Sequence, residues 1–255
     1  MILALLLMQA SVARPHVTIS LVPEFTAVVA GMPQRVALRF QVDPGWHIYW
    51  RNPGESGVAT TASWALPSGF TADSLEYITP SRLDVAGVVT HIMEGDIVLL
   101  TTIRPPAQAR LTSHASRLTT HVKYGVCKDI CYPGQATLTL TMPVMTDAGP
   151  NAAWRVADSL FAARRPWGGL LTAGTTFLGD TAVITTLLGS KCAGAGATFF
   201  PWDRELAAGA VALAISGCKP AVFKLPIREN PRGGIRGVVV VGNEPQGYDV
   251  VAKSN

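Results

Sequence analysis

The stretch Tyr124-Gly125-Val126-Cys127-Lys128-Asp129-Ile130-Cys131-Tyr132-Pro133-Gly134 places two cysteines, with three residues between them, at the junction of two extended runs. The run before them, Thr119 to Val126, has strand character. In the run after them, apolar residues alternate with threonines, and this period of two is typical of a half-buried strand. The apolar positions are Ala136, Leu138, Leu140 and Met142. With Pro133-Gly134 as turn formers, the pattern predicts that the cysteines lie on a connection between β-strands, at one end of a sheet.

The spacing of the two cysteines limits their chemistry. A thioredoxin-type pair is C-x-x-C at the start of a helix, where the helix dipole lowers the pKa of the thiol. Here three residues separate Cys127 from Cys131 and a strand follows, so the pair is not a thioredoxin centre. A bridge across so short a ring would add only about 2 kcal/mol in the loop-entropy treatment, and accessible bridges tend to be labile or catalytic. From the residues alone, a redox-active pair, a structural bridge and a pair of metal ligands all stay open.

Alternating runs separated by turn formers predict that most of the chain is β. The predicted strands of the N-terminal part are His16–Val22, Arg35–Val42, Ala62–Pro67 and Ile97–Ile103. Those of the C-terminal part are Thr181–Leu187, Ala197–Phe200, Ala210–Ile215, Ala221–Leu225, Gly237–Val241 and Tyr248–Val251. In the run 46–50, strand alternation puts Trp46, Ile48 and Trp50 on one face, expected in the core, and His47 with Tyr49 on the other.

Between the two sets of strands, residues 151–165 have apolar side chains at helical spacing, with Asn151 as the candidate N-cap. The apolar positions are Trp154, Val156, Ala157, Leu160, Phe161 and Ala162. We predict an all-β fold of two immunoglobulin-like β-sandwich domains joined by a short helix-containing linker. The predicted boundaries are 14–148 for the sandwich with the cysteine pair, 149–166 for the linker and 167–255 for a second, smaller sandwich.

The first thirteen residues form a short apolar stretch that ends in a small-x-small site, Ser11-Val12-Ala13. This predicts a signal peptide, residues 1–13, cleaved before Arg14. The stretch lacks a basic start, so we expect the signal peptide to be truncated at its beginning. The alternative is a buried N-terminal strand. No later stretch offers about 18 uncharged apolar residues, so we expect the mature chain to be exported, soluble and without a transmembrane segment.

Composition narrows the function classes. The net charge of +4 over 255 residues is mild and the basic residues are scattered, so nucleic-acid binding is not indicated. Four cysteines, an even number, are compatible with disulfides in an exported protein. We expect Cys192 and Cys218 to form a structural disulfide, with two free thiols, a second redox centre or a metal site as the alternatives.

Two motifs about 70 residues apart resemble the N-terminal periplasmic domain of DsbD-type thiol:disulfide interchange proteins, in particular the ScsB branch linked to suppression of copper sensitivity. The motifs are Gly45-Trp46-His47-Ile48-Tyr49-Trp50-Arg51-Asn52-Pro53-Gly54-Glu55-Ser56-Gly57 and Cys127-Lys128-Asp129-Ile130-Cys131-Tyr132-Pro133-Gly134. The resemblance is clear over residues 18–145 and weaker over 150–255. It implies a periplasmic protein in which partners attack Cys131 and Cys127 resolves the mixed disulfide.

The resemblance also implies supporting residues. Tyr49 matches a family tyrosine that lies beside the disulfide, and Lys128 could favour a thiolate electrostatically. In the family, a cap loop covers the disulfide with an aromatic residue, but the corresponding stretch here contains none. We therefore expect either a thinner cap or cover of the sulfurs by Tyr49 or Tyr132. The candidate cap residues are Asp84, Val85 and Ala86.

By the same resemblance, the domain receives electrons from a thioredoxin-like donor protein and passes them to periplasmic disulfide-containing proteins. Separately, we expect no cofactor and a monomer. The family implies links to cytochrome c biogenesis and to copper tolerance. The sequence ends at Asn255 with neither a transmembrane electron conduit nor a thioredoxin module. We therefore expect the reductant to be a separate protein, or the sequence to be a fragment of a membrane reductase.

Two rival functions come from other classes. One is a non-catalytic β-sandwich of the cell envelope that binds copper or zinc, because soft thiolates suit Cu(I). The sequence has no compact Met/His cluster, and His114 and His121 are weak candidates, so we predict no metal site. The other is a purely structural module with two stapling disulfides.

Overall fold

The computed structural model describes residues 9–107, 114–188, 196–203, 212–213, 220–227 and 234–254. The chain packs as two compact units. The first unit comprises the described residues of Met1–Ile48, Thr60–Tyr77 and Glu94–Ala162, and the second those of Tyr49–Ala59, Ile78–Met93 and Ala163–Asn255. Strands dominate and one short helix is present among the described residues, so the predicted all-β, immunoglobulin-like fold is confirmed. The predicted domain boundaries stay predictions.

The strands follow one another closely along the chain, and the helix interrupts them once. In chain order the elements are β1 (Ala10–Arg14), β2 (Val17–Pro23), β3 (Val28–Val29), β4 (Gln34–Val42), β5 (His47–Gly54), β6 (Thr61–Ala65), β7 (Thr71–Ala72), β8 (Ser81–Val85), β9 (Val88–Glu94), β10 (Asp96–Arg104), β11 (Ala115–Cys127), β12 (Cys131–Met145), α1 (Trp154–Arg164), β13 (Trp167–Leu178), β14 (Thr181–Thr186), β15 (Ala197–Pro201), β16 (Ala212–Leu213), β17 (Ala221–Pro226), β18 (Ile235–Val241) and β19 (Tyr248–Ser254).

The first unit is built from two sheets. One is antiparallel, with the strand order β1-β2-β4-β10-β7. In the other, β11 pairs along its length with β12, and its opposite edge pairs first with β6 and then, at Val126 and Cys127, with the start of β5. Ring contact between Phe40 on β4 and Tyr124 on β11, at 6.1 Å between centroids, joins the two sheets. The unit is therefore a β-sandwich whose second sheet ends at the cysteines.

Side-chain alternation explains why these strands bury one face. On β11, Leu118 and Val122 are at most 1% exposed, whereas Arg117 and His121 point to solvent. Burial of each such aliphatic side chain stabilises the fold by about 1.5–3 kcal/mol. The same alternation is the basis on which the sequence predicts β4, β10 and β11. The structure confirms these strands, with bounds shifted by at most four residues.

The N-terminal residues and the helix complete the first unit. Ala10–Arg14 pair antiparallel with β2, so the structure includes the end of the predicted signal peptide; its cleavage stays a prediction. Asn151 is buried, donates from Nδ2 to the Pro23 carbonyl (2.9 Å) and accepts at Oδ1 from the Ala153 amide (3.2 Å). It therefore anchors the chain just before α1. The prediction that Val156 lies on the apolar face of the helix is wrong, because this side chain is 50% exposed.

The second unit contains a seven-stranded sheet with the order β16-β15-β18-β19-β13-β14-β17. Phe199 on β15 and Phe223 on β17 come from opposite ends of this order, yet their rings are 5.8 Å apart. The sheet therefore folds over a common apolar core. Sequence analysis missed β13, whose glycines interrupt the alternation; it pairs parallel with β19 and antiparallel with β14. Of the strand predicted at 210–215, the structure describes Ala212–Leu213.

A buried histidine lies in the second unit. His91 is 0% exposed, and its Nδ1 donates a hydrogen bond to the Asn52 carbonyl (2.8 Å). Its ring meets those of Phe200 and Trp50 edge-on, at 5.1 and 6.3 Å between centroids. Among the described residues, Nε2 has no hydrogen-bond partner. Burial lowers the pKa of His91 to about 4, although the hydrogen bond to Asn52 opposes the shift.

This histidine predicts a loss of stability in acid. The unfolded chain binds the proton with a pKa of about 6.5, so stability is complete above that pH and falls between pH 6.5 and 4, by about 3 kcal/mol in total. The variant His91→Asn keeps an amide donor for the Asn52 carbonyl and cannot titrate. Urea unfolding at pH 7 and pH 4.5 should therefore show a smaller acid loss in His91→Asn than in the wild type.

The exposed His121 offers the matched control, because its contact is a surface hydrogen bond to Thr137. The variant His121→Asn should keep the wild-type pH dependence. An acid loss of equal size in the wild type and His91→Asn would contradict the assignment.

Candidate active site

The two cysteines form a disulfide at the tips of paired strands. Cys127 is the last residue of β11 and Cys131 the first of β12, and they lie opposite each other in the ladder. Their Cα atoms are 4.1 Å apart. The three residues between them make the turn, which is closed by a hydrogen bond from the Lys128 amide to the Ile130 carbonyl (3.2 Å). The disulfide therefore bridges a tight β-hairpin at its very end.

The predicted turn at Pro133-Gly134 is wrong. Both residues lie inside β12, where Pro133 is opposite Gly125 and Gly134 is opposite Tyr124. The turn preference of Pro133 and Gly134 is overridden because β11 and β12 pair without interruption up to the cysteines. The sequence therefore placed the cysteines on a loop, whereas they belong to the strands.

The two cysteines differ sharply in exposure. Cys127 is 1% exposed, while Cys131 and the turn residues are exposed, Ile130 at 62%. The sheet explains the difference. At Cys127, β11 is central, with β12 on one side and β5 on the other, whereas β3 pairs with the far side of β12 only at Val144 and Met145. Cys131 therefore has an access to solvent that Cys127 lacks, and its role as the attacked sulfur stays a prediction.

A tyrosine and a glycine fix the hairpin to the core. Tyr124 is 2% exposed, and burial raises the pKa of its hydroxyl. Its ring lies directly over Gly134, where an added Cβ would come 2.4 Å from the ring carbon Cζ. Sequence analysis missed this pair, although a cross-strand aromatic over a glycine is a known way to fill the space that a missing side chain leaves.

An aromatic stack lies next to the hairpin. The rings of His16 and Trp46 are 3.6 Å apart and nearly parallel, and the Tyr132 ring lies 5.9 Å from that of Trp46. His16 also pairs with Asp43 through Nδ1 and Oδ2 (3.0 Å). The prediction that Trp46 belongs to the core is wrong: it is half-buried and stacks on His16. Strand alternation puts Tyr132 on the face opposite to that of Cys131, and its proposed role in covering the sulfurs stays a prediction.

Two polar side chains flank the disulfide. The end of the Lys128 side chain extends over Gly45, where an added Cβ would lie 3.7 Å from Nζ. His47 is opposite Cys127 in the β5–β11 ladder and is 6% exposed. Burial lowers the pKa of His47, although Glu94 opposes the shift, so the imidazole is neutral at neutral pH. The effect of Lys128 on the thiols stays a prediction.

Tyr49 belongs to the second unit, so its predicted place beside the disulfide stays a prediction. It is 5% exposed and burial raises the pKa of its hydroxyl. Its ring lies against Gly57, where an added Cβ would be 2.2 Å from Cε1 and where φ is +95°. Glycine is thus required at residue 57 by both space and backbone conformation.

The candidate cap residues form the tip of the β8–β9 hairpin, also in the second unit. Ala86 and Gly87 make the turn with φ values of 52° and 85°. Asp84 holds it, accepting hydrogen bonds from the Gly87 amide (3.0 Å) and from Arg82 (2.6 Å). Val85 is 61% exposed. The hairpin is thus well formed with an apolar tip, and its action as a cap stays a prediction.

The remaining predicted site residues are Cys192 and Cys218, which lie outside the described residues. In the ranges that the structure describes, no cluster of three or more His, Cys, Asp or Glu residues could hold a metal ion. Nor does any helix in that part of the chain have the length and apolar character to span a membrane.

The chain was compared with known protein families, curated sequences and solved structures. A sequence model of the family described as "Thiol:disulfide interchange protein DsbD, N-terminal" matches residues 19–143. The crystal structure of the N-terminal periplasmic domain of ScsB from Proteus mirabilis is similar in fold, with a TM-score of 0.66 at 15% identity, covering 96% of this chain and 97% of that chain. The yeast GGA1 GAE domain is less similar, with a TM-score of 0.31 at 14% identity, covering 53% and 98%. A search of curated protein sequences gave no match.

The contact between Tyr124 and Gly134 gives a testable prediction. The change Gly134→Ala should lower the free energy of unfolding by about 1–3 kcal/mol, because the new methyl group overlaps the buried ring. The change should cost less in a Tyr124→Leu background, since the two residues share one space. Denaturant unfolding of the two single variants and the double variant measures this coupling.

Gly149 provides the control, because the nearest atom to an added Cβ there is 3.9 Å away. The change Gly149→Ala should alter stability by no more than about 0.5 kcal/mol. Equal costs for the two glycine substitutions, or no coupling to Tyr124→Leu, would contradict this account of the hairpin.

Proposed function

Because residues 19–143 belong to the family of DsbD N-terminal domains, we propose that this thiol–disulfide interchange domain passes electrons from a thioredoxin-like donor to oxidised protein substrates through Cys127 and Cys131. The observation that carries the proposal is the unequal exposure of the two cysteines: Cys131 is open to solvent and Cys127 is buried. We place the reaction in the periplasm, because the ScsB domain of the same fold is described as periplasmic.

The domain is reduced in two exchanges. A donor thiolate attacks the Cys131 sulfur, a mixed disulfide forms, and the Cys127 sulfur leaves as a thiolate that takes up a proton. The donor's second thiolate then attacks its own sulfur in the mixed disulfide and releases the Cys131 thiolate. Two electrons have passed from the donor to the cysteine pair, and the donor's two sulfurs are joined in a disulfide.

The reduced domain passes these electrons on by the same route in reverse. The exposed Cys131 thiolate attacks a substrate disulfide and releases one substrate thiolate. Cys127 then attacks the Cys131 sulfur, re-forms the disulfide and releases the second substrate thiolate. The geometry supports this order, because Cys131 is the sulfur that another protein can reach and Cys127 is the sulfur already in line to close the ring.

The proposal predicts an exchangeable disulfide. In glutathione buffers the Cys127–Cys131 pair should show a reduction potential of about −120 to −270 mV, the range of known exchange proteins. The measurement is the fraction of alkylated thiols at equilibrium, read by mass on the peptides that contain each cysteine. A pair that stays oxidised below about −300 mV would be a structural staple and would contradict the proposal.

The unequal exposure predicts which single-cysteine variant traps a partner. The variant Cys127→Ala keeps the exposed Cys131 and should accumulate a mixed disulfide with glutathione, because no second thiol resolves it. Its matched control, Cys131→Ala, keeps the buried Cys127 and should form the adduct at least about tenfold more slowly. Mass spectrometry over time gives both rates. Equal rates would contradict the assignment of Cys131 as the attacked sulfur.

A further inference from the structure

The strand register places a histidine beside the buried cysteine. His47 on β5 lies opposite Cys127 on β11, and Cys127 lies opposite Cys131 on β12. Residues directly opposite each other in antiparallel strands point to the same face, with Cβ atoms about 4.5–5.5 Å apart. The imidazole, the buried sulfur and the exposed sulfur therefore form one row across three strands. Ile48, on the other face of β5, is buried.

The buried sulfur has a proton to exchange at every turnover. Cys127 must be a thiolate when it attacks and must be reprotonated after it leaves, yet it is 1% exposed. The charged form of a group removed from water is disfavoured, and solvent has little access to it. A proton acceptor inside the structure would solve this problem, and His47, itself 6% exposed, is the titratable side chain next to Cys127 in the ladder.

We propose that His47 is the proton-exchange partner of Cys127, taking the thiol proton as Cys127 attacks and returning a proton when Cys127 is the leaving group. The inference rests on the proposed exchange function and adds a residue to it. In the closing step, the proton moves from the Cys127 sulfur to the imidazole and the thiolate attacks the Cys131 sulfur. The Cys127–Cys131 bond forms, the bond from Cys131 to the partner breaks, and the partner leaves as a thiolate.

The surroundings of His47 suit this role. A base needs a vacant lone pair at working pH, and the buried imidazole is neutral there. The negative charge of the Glu94 carboxylate, also in the first unit, acts on His47 and favours its protonated form. This carboxylate therefore stabilises the imidazolium that forms when the proton arrives. The sulfurs of Cys127 and Cys131 lie along the same row. Lys128 is directed over Gly45, at the turn that precedes β5.

The closing step can be timed directly. Reduced protein is mixed with oxidised glutathione, and the decay of the Cys131–glutathione adduct is followed by acid quench and mass spectrometry between pH 6 and 8. In the wild type, the rate should change little with pH. In His47→Asn, it should be at least about tenfold lower at pH 7 and should rise steeply with pH, because hydroxide must then remove the proton. His121→Asn, at an exposed site on the same strand as Cys127, should match the wild type.

A rate and pH profile in His47→Asn equal to those of the wild type would overturn the inference while leaving the exchange function intact. A wild-type protein that forms no adduct, or never closes it, would instead contradict the exchange function itself. The two failures are therefore distinguishable in one experiment.

A second measurement needs no variant. The histidine ring signals of the wild-type protein, assigned by NMR, should show that His47 titrates at a higher pH in the reduced than in the oxidised protein, because the reduced Cys127 sulfur can share a proton with it. A His47 midpoint that is the same in both redox states would overturn the inference.

Discussion

The position of β11 between two neighbouring strands decides what each cysteine can do. Where β11 ends, β5 and β12 both pair with it, so that Cys127 lies in the middle of a three-stranded row. Cys131 lies on the outer strand of that row and is exposed. The disulfide thus joins one buried and one exposed cysteine, and we propose that partners attack the exposed one. The proposed direction of each exchange step depends on this asymmetry.

The rest of the first unit keeps the hairpin in place. Tyr124 fills the space over Gly134 and contacts Phe40 of the facing sheet, so the end of the hairpin is tied to the core of the sandwich. Beside it, Trp46 and His16 stack at 3.6 Å. A site for thiol–disulfide exchange requires a fixed geometry of its two sulfurs and access of another protein to one of them. A hairpin whose base packs on a sandwich and whose tip is exposed provides both.

The sequence predicts many of the strands, because the alternation of buried and exposed residues is a local pattern. In a strand with one buried face, apolar and polar residues alternate with a period of two, and this alternation predicted β4, β10 and β11. The glycines of β13 interrupt the alternation, so the sequence did not predict that strand. Pro133-Gly134 has the composition of a turn, but continuous pairing with β11 overrides local preference. The unequal burial of the cysteines and the place of His47 depend on which strands become neighbours. That information is non-local, and no pattern near either cysteine contains it.

The central claim is that the fold exposes the sulfur of Cys131 and protects that of Cys127. The most direct measurement is a short pulse of iodoacetamide on the reduced native protein, followed by denaturation, a second label and digestion with trypsin. Cleavage after Lys123, Lys128 and Arg155 puts the two cysteines on separate peptides. The account predicts that the pulse label is found on the Cys131 peptide, in large excess over the Cys127 peptide. Equal labelling of the two peptides, or preferential labelling of Cys127, would contradict it.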